Sequence, residues 1–399
     1  MNRFDCITPE GTRDALFAEC TLRRQVESKL RNLFAARGYS EIITPTLEFY
    51  DVFNREARPF PQEKMYKLTD CKGRLLVLRP DNTVPIARVC ATRLRDAVLP
   101  LRLYYNQSIH VSSPTLKGRD DEVTQSGIEL IGSDSRMADL EVIAAAVDVL
   151  ASCDTEYRLE LGNAAFFREL TNRLEASPQV KEAVRNYVEE NNFPALNDVL
   201  DSLPASDVTE ALRQLPRLFG GEEVFAKAAA LCPDPAFTTV LDSLRSLWET
   251  VTCIAGKERV TVDLSMVHRT DYYSGMVLRG YLSGYGDEIL SGGRYDKLIA
   301  EFGYDVPATG FAVNVDAVVK VLSKQAATDP AARPASDVLI WAEKGLEADA
   351  IKAAETLRTK GLVTEHALFD TLAEAQAYAK KQGIHNVFPI TATETEVNQ

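Results

Sequence analysis

The first long segment of the chain repeats apolar positions with the period of a helix. Within residues 16–34, apolar side chains recur every three or four residues, at Leu22, Val26, Leu30 and Leu33. That spacing places them on one face of an α-helix, and Gly38 is a residue type that commonly ends one. The pattern therefore predicts an amphipathic helix that packs one face against a core.

Short runs of strand character follow, separated by polar turns. In one of them Val260, Val262 and Leu264 alternate with polar residues, which is the period of a half-buried strand. The predicted strands cover residues 41–43, 75–78, 103–105, 128–131, 260–264, 276–282 and 288–290, and further helices cover 139–150 and 315–322. Neighbouring strands without a helix between each pair favour an antiparallel α+β sheet over a doubly wound one.

The strands fall into two groups with a long helical segment between them. Residues 166–252 are helical in pattern, with breaks at prolines and at Gly220–Gly221. We therefore predict a domain over 1–323 that carries a helical insertion. The polar stretch KQAATDPAARPAS, residues 324–336, predicts a linker. Residues 337–399 alternate strand and helix and predict a small α/β module.

Composition and charge narrow the class of protein. The chain has 399 residues, of which 45% are hydrophobic and 26% charged, as in a folded protein of two or three domains. The N-terminal residues do not resemble a secretory signal, and no apolar run approaches the roughly 20 residues that span a bilayer. The net charge is −13, with Lys and Arg scattered among acids. We expect a cytoplasmic protein that binds neither membrane nor nucleic acid.

The cysteines and histidines do not suggest a metal centre or a disulfide framework. The seven cysteines include no CxxC pair, and the four histidines include no HExxH spacing. We expect reduced thiols, no metal and no cofactor. The four cysteines of the N-terminal hundred residues are expected to be small buried hydrophobic groups: Cys6, Cys20, Cys71 and Cys90.

Polar residues at strand positions suggest a binding site. Gln125 and Glu129 are four apart on a predicted strand and so share a face, with Gly127 between them leaving space for a ligand. A glutamate there can pair with an ammonium or imidazole group. Asp81 and Thr83 follow the end of another predicted strand, a usual place for site residues.

Two tyrosines and two glycines add to this site. Tyr272 and Tyr273 offer a flat wall and a hydroxyl group, and the pair Gly292–Gly293 permits close backbone approach. Taken singly, a glutamate is more often an ion-paired surface group, tyrosines are more often core, and a glycine pair is most often a turn. Their joint placement favours a site for a polar amino acid.

Five segments carry a family resemblance: MYKLTDCKGRLLVLRPDNTVPIAR (65–88), GRDDEVTQSGIELIG (118–132), DLSMVHRTDYYSGMV (263–277), SGGRYDKL (291–298) and PATGFAVNVDAVV (307–319). In this order they resemble the catalytic domain of histidyl-tRNA synthetase, from about residue 8 to 323. The resemblance implies a class II synthetase-like antiparallel sheet flanked by helices, and a final module like a reduced anticodon-binding domain. It also implies that histidine is held at or beside Asp81, Thr83, Gln125, Glu129, Tyr272, Tyr273 and Tyr295.

The same resemblance implies arginines that this chain lacks. In the synthetase they bind the phosphates of ATP, and the matching positions here are His110 (or Val111, if no residue is inserted in the following loop), Asp121, His268 and Ala317. Guanidinium groups bind phosphate bidentately and stay charged, whereas neutral imidazole does neither. Losing one such donor costs on the order of 100- to 1000-fold in rate. We therefore expect a pocket that binds histidine, with no catalytic residues.

A synthetase-like chain of this kind resembles the regulatory subunits of ATP phosphoribosyltransferase in histidine biosynthesis. The resemblance implies a non-catalytic protein that activates a short-form catalytic subunit and binds L-histidine for feedback inhibition. It also implies pairing with a second copy through residues 38–49, within a hetero-octamer. Residues 336–399 hold six basic and ten acidic residues, and that surplus of acids is unsuited to contact with an RNA backbone.

Two alternative functions remain open from the sequence. One is a divergent but active histidyl-tRNA synthetase, in which a neighbouring residue such as Arg269 compensates for a lost arginine. The other is a stand-alone sensor of histidine or uncharged tRNA.

Overall fold

The computed structural model describes residues 4–55, 58–112, 120–154, 156–267, 273–326 and 335–392. These residues form two compact units, one built from 4–15 and 19–326 and the other from 16–18 and 335–392. None of the described helices has the length and apolar character that crossing a bilayer requires.

The strands of the larger unit are short near the N-terminus and long in the middle of the chain. They are β1 (Ser40–Glu41), β2 (Leu47–Phe49), β3 (Asn54–Arg55), β4 (Arg58–Pro59), β5 (Lys67–Thr69), β6 (Leu75–Leu78), β7 (Leu101–His110), β8 (Glu122–Ile131), β9 (Tyr157–Asn163), β10 (Phe219–Gly220), β11 (Val260–Asp263), β12 (Met276–Leu282), β13 (Leu290–Arg294) and β14 (Ala308–Asn314).

Nine of these strands form one sheet in the order β1-β7-β8-β14-β13-β12-β9-β11-β10. Each strand from β7 to β9 in this order runs antiparallel to its neighbour, whereas β1 pairs with β7 and β11 with β9 in parallel. The predicted antiparallel α+β sheet is therefore confirmed through its centre, and the parallel pairs β1-β7 and β11-β9 make the whole sheet mixed.

Two central strands, β9 and β14, have no counterpart among the predicted runs. β14 is buried along almost its whole length, so its sequence lacks the alternation of polar and apolar residues that marks a half-buried strand. Two smaller sheets lie near the N-terminus, with strand orders β2-β6-β5 and β3-β4.

The helices of the larger unit are α1 (Phe17–Ala36), α2 (Thr83–Thr92), α3 (Arg136–Cys153), α4 (Ala164–Arg173), α5 (Pro178–Glu189), α6 (Phe193–Asp201), α7 (Asp207–Gln214), α8 (Glu223–Leu231), α9 (Pro235–Ala255) and α10 (Val315–Gln325). The predicted N-terminal helix is confirmed as α1, which buries Val26, Leu30 and Phe34 in the main core. Helix α3 packs against the large sheet in the same core. Ser135 caps α3 by accepting a hydrogen bond from the Ala138 amide.

Between β9 and β11 the chain is mostly helical, with two short 3-10 turns (Leu215–Arg217 and Lys257–Arg259) and with β10, which pairs with β11 at the edge of the sheet. The helices from α4 to α9 pack through aromatic contacts. The rings of Phe166 and Phe237 lie 5.3 Å apart, and those of Phe225 and Trp248 lie 5.9 Å apart. The segment thus contributes to the buried core of the larger unit.

The smaller unit contains β15 (Val338–Ala342), α11 (Glu347–Thr359), β16 (Thr364–His366), α12 (Leu372–Gln382) and β17 (Asn386–Ile390). Its strands form a parallel sheet in the order β16-β15-β17. The alternation of strand and helix matches the predicted pattern. Of the predicted linker, residues 327–334 lie outside the described residues, and Lys324 and Gln325 belong to the end of α10.

The prediction that four N-terminal cysteines are buried is wrong for three of them. Cys90 is buried in α2, whereas Cys6, Cys20 and Cys71 are exposed. A small apolar side chain is not excluded from the surface, so residue type alone does not determine its burial. All seven cysteines are free in the structure.

Candidate functional site

A cavity of about 340 Å³ lies over strands β8, β13 and β14 of the large sheet. Six of the seven predicted histidine-site residues line it: Asp81, Thr83, Gln125, Glu129, Tyr273 and Tyr295. The seventh, Tyr272, lies outside the described residues. The sheet and the start of α2 therefore bring together side chains that are up to 214 positions apart in the sequence.

Glu129 is a buried carboxylate in this cavity, with 1% of its surface exposed. It accepts hydrogen bonds from the Thr83 hydroxyl, at 2.7 Å, and from the Tyr295 hydroxyl. Burial raises the pKa of Glu129 to about 8, although both hydroxyls favour its charged form. A cationic ligand group would supply the missing counter-charge.

Asp81 is a second carboxylate in the same cavity. Its Oδ1 accepts a hydrogen bond of 2.7 Å from the Val84 amide in the first turn of α2. Burial raises the pKa of Asp81 to about 6, and its charge adds to the rise at Glu129. Two desolvated carboxylates in one cavity form a site suited to a cation.

The orientation of Gln125 is fixed by a buried neighbour. Asn82 is completely buried and donates through Nδ2 to the side-chain oxygen of Gln125 at 3.2 Å. Because that oxygen is already an acceptor, the amide nitrogen of Gln125 is the end left to donate to a ligand. Gln125 and Glu129 both line the cavity, which confirms that they share a face of β8.

Glycines provide the space around these side chains. Gly310 on β14 pairs with Glu129 on β8, and a Cβ at position 310 would collide with the Glu129 carboxylate and the Ile128 carbonyl. Gly127 was expected to leave space for a ligand, and this expectation is wrong. A Cβ there would lie 2.5 Å from the Tyr105 hydroxyl, so a protein side chain already fills that space.

Tyr273 and Tyr295 close another side of the cavity. A Cβ at Gly293 would lie 2.8 Å from the ring of Tyr273, so the glycine permits the ring to approach the sheet. Burial raises the pKa of Tyr273, and the negative charge of Glu129 raises it further. Tyr273 therefore stays a neutral hydroxyl group that can donate or accept a hydrogen bond.

The first position at which we predict a lost arginine lies next to the cavity. Val111, the alternative to His110 at this position, lines the cavity, and His110 does not. The Nε2 atom of His110 lies 3.8 Å from Oε1 of Glu122, and burial lowers the pKa of His110. Neither residue places a permanent cation beside the cavity.

Two other positions at which we predict a lost arginine, Asp121 and Ala317, do not line the cavity. Asp121 accepts a hydrogen bond from the Tyr66 hydroxyl. Ala317 is buried in the main core, where its amide donates to Oδ1 of Asn314 at 2.9 Å. The fourth position, His268, lies outside the described residues. Among the described residues, no cluster of three or more His, Cys, Asp and Glu side chains is arranged to hold a metal.

Comparisons with known proteins identify the family. The sequence profile of histidyl-tRNA synthetase matches residues 11–318. An ATP phosphoribosyltransferase regulatory subunit from Clostridium kluyveri is 42% identical over 380 residues, covering 94% of this chain and 97% of the relative. One from Clostridium acetobutylicum is 40% identical over 395 residues, covering 98% of this chain and 97% of the relative. The chain belongs to the family of ATP phosphoribosyltransferase regulatory subunits.

Solved structures agree with this family and its histidyl-tRNA synthetase-like fold. One from Bacillus halodurans is described as an ATP phosphoribosyltransferase regulatory subunit/histidyl-tRNA synthetase. It superposes with a TM-score of 0.85 at 28% identity, covering 98% of this chain and 99% of that one. A histidyl-tRNA synthetase from Nostoc shares the fold, with a TM-score of 0.77 at 20% identity, covering 99% of this chain and 94% of that one.

In this member of the regulatory-subunit family, sequence reasoning missed several charged residues of the cavity. Arg55 and Lys64 line it from the segment that contains β3 and β4, and Glu189 lines it from the end of α5. No periodic pattern marks this segment, because β3 and β4 are only two residues each. Arg55 and Lys64 are therefore recognisable as site residues only from the structure.

Proposed function

We propose that this regulatory subunit binds free L-histidine in the cavity over β8, β13 and β14. The observation that carries the proposal is the convergence of six residues, chosen from the sequence for histidine recognition, on a single cavity. Glu129 and Asp81 are suited to the ammonium and imidazole groups of the ligand. The hydroxyl of Tyr273 and the amide of Gln125 supply neutral hydrogen-bonding groups that can orient it.

We further infer that the protein acts on a short-form catalytic subunit of ATP phosphoribosyltransferase. It activates that subunit in the cytoplasm and makes its activity sensitive to histidine. Such regulation is a coupling free energy between two sites, so histidine must bind one arrangement of the complex better than another. Pairing of two copies through residues 38–49, within a hetero-octamer, belongs to the same proposal.

The loss of catalysis is part of this proposal. At the positions that we match to the ATP-binding arginines of the synthetase, the described residues are His110 (or Val111), Asp121 and Ala317. Fixed guanidinium groups stabilise the charge that develops on a phosphate in the transition state. Their absence favours binding of histidine without its activation.

Reconstitution tests the proposal. The purified chain, mixed with a short-form catalytic subunit, is expected to produce phosphoribosyl-ATP synthesis that histidine then inhibits. Glu129→Gln is expected to weaken inhibition and leave activation in place. Glu122→Gln is the matched control, because Glu122 lies on the same strand, is half exposed and does not line the cavity. Equal loss of activation and inhibition in Glu129→Gln contradicts the proposal.

The alternative function is that of an active histidyl-tRNA synthetase. It is tested as well, because Arg55 and Lys64 place two cations in the lining of the cavity. Histidine-dependent exchange between pyrophosphate and ATP by the purified chain would establish it. A stand-alone sensor would instead bind RNA at moderate salt and fail to stimulate the catalytic subunit. The acidic balance of residues 336–399 argues against that RNA contact.

A further inference from the structure

The cavity contains two cations that the recognition of imidazole and ammonium does not use. Arg55 and Lys64 lie on one segment of chain, together with the lining residues Phe53 and Phe60. The carboxylates of Asp81 and Glu129 come from different elements, the start of α2 and strand β8. Acidic and basic groups therefore reach the same cavity from separate parts of the fold.

Lys64 is held beside the end of β7. Its carbonyl accepts a hydrogen bond of 2.9 Å from the Ser112 amide, and Met65 forms a β-bridge with Val111. These backbone contacts bring Lys64 next to the position where the synthetase family has an arginine. Among the residues that the structure describes, no carboxylate forms an ion pair with the Lys64 ammonium. The ammonium is thus available to a bound anion.

Arg55, the second cation in the cavity lining, is held by two contacts. Its Nη1 donates to the main-chain oxygen of Glu301 at 3.0 Å, and its guanidinium carbon lies 4.4 Å from the centre of the Phe302 ring. The Nε atom of Arg55 is buried and has no hydrogen-bond partner among the described groups. Since a guanidinium carries five N–H donors, Arg55 keeps donors for a ligand while its position is fixed.

We propose that Lys64 and Arg55 form a subsite for the α-carboxylate of the bound amino acid, and so make the cavity selective for histidine over analogues that lack this group. The proposal rests on the proposed function. Histidine is a zwitterion, whose cationic groups suit Glu129 and Asp81 and whose carboxylate suits the two cations. Hydrogen bonds between charged partners are the stronger ones in proteins, so such a pair of cations would hold the carboxylate of the ligand in place.

Ligands that differ only at the carboxylate test this inference. Isothermal titration of the full-length chain would compare L-histidine with L-histidinol, in which a hydroxymethyl group replaces the carboxylate. Lys64→Met and Arg55→Met are each expected to weaken L-histidine binding about tenfold or more and to leave L-histidinol binding within about twofold. Lys64→Arg is expected to retain most of the affinity for histidine.

Lys67→Met is the matched control, because Lys67 is exposed on β5, lies 5.6 Å from the Tyr50 ring and does not line the cavity. It is expected to bind both ligands like the unmodified chain. If Arg55→Met does not fold, Lys64→Met decides the outcome, since no described carboxylate depends on that ammonium for an ion pair.

Three results would overturn the inference, and each is distinct. If the variants bind L-histidine and L-histidinol with equally reduced affinity, or if neither affinity changes, the cations do not contact the carboxylate. If pyrophosphate or AMP displaces histidine from the unmodified chain but not from Lys64→Met, the subsite binds phosphate instead of the carboxylate. Failure of the unmodified chain to bind L-histidine, alone and with the catalytic subunit, removes the proposed function and this inference together.

Discussion

The hydroxyl of Thr83 lies 2.7 Å from Oε1 of Glu129 and joins the start of α2 to the middle of β8. The Tyr295 hydroxyl donates to the same carboxylate from the turn after β13. Three elements of the fold therefore hold one buried acid in place. Because a carboxylate needs donors when it is removed from water, the two hydroxyls favour the charged form of Glu129 and partly offset the burial that raises its pKa.

Replacing Thr83 with valine tests this relationship. Thr83→Val removes one of the two hydroxyl donors and is expected to raise the pKa of Glu129 further, since the hydrogen bond lowers it. Histidine affinity at pH 7 is expected to fall about tenfold by titration calorimetry. Thr83→Ser retains the hydroxyl and is the control. A loss in Thr83→Ser as large as the loss in Thr83→Val would contradict this prediction, because serine retains the hydroxyl group that donates to Glu129.

The raised pKa of Glu129 predicts that the free energy of unfolding falls as the pH rises. Its pKa is about 8 in the fold, against an ordinary value of 4.5, so the folded state holds the proton more tightly than the unfolded state. The associated stability is present below pH 4.5 and is lost as the pH rises through 8. Relative to Glu129→Gln, the unmodified chain is expected to lose on the order of a few kcal/mol of unfolding free energy over this range.

Urea unfolding of both proteins at pH 5 and pH 8.5 measures this difference. Asp81, whose pKa is raised to about 6, is present in both proteins, so its own titration largely cancels in the comparison. A gain in stability of the unmodified chain over the variant as the pH rises would contradict the assignment of a desolvated carboxyl group at position 129.

Gly310→Ala is expected to displace the Glu129 carboxylate. The new methyl group would collide with that carboxylate and with the Ile128 carbonyl. We expect a loss of about 1–3 kcal/mol of unfolding free energy together with loss of histidine binding. Gly286→Ala is the control, since nothing lies within 4 Å of a Cβ there and the residue is exposed. A Gly310→Ala protein that binds histidine normally would contradict the crowding argument.

Arg294 holds the strand that leads to Tyr295. It is buried and pairs with Asp139 at 2.8 Å and Asp296 at 3.0 Å. Arg294→Met leaves both carboxylates without this partner and is expected to cost about 3–5 kcal/mol of unfolding free energy. Lys297→Met removes an exposed cation 3.7 Å from Asp305 and is expected to cost no more than about 1 kcal/mol. Similar midpoints for the two variants in denaturant unfolding would refute the buried-pair argument.

Periodicity alone was enough to predict some parts of the site. Gln125 and Glu129 are four residues apart, and side chains on a strand alternate between its two faces, so both face the cavity. Helix α1 follows from the same kind of argument at a period of 3.6 residues. In each case the information is local, because the direction of a side chain along one element depends only on its position within that element.

Other parts depend on which strands become neighbours. Gly310 matters because β14 pairs with β8, across about 180 residues of sequence, and the space beside Gly127 is filled by Tyr105 from β7. No local period encodes such pairings.

The sequence by itself determined the faces of α1 and β8, the acidic balance of the final module and the polar residues from which we predict a histidine site. Only the tertiary structure decided that Arg55 and Lys64 share a cavity with them, and that burial raises the pKa of Glu129. The physical reason is that electrostatic environment and steric space arise from contacts between distant segments. These contacts exist only once the sheet has assembled.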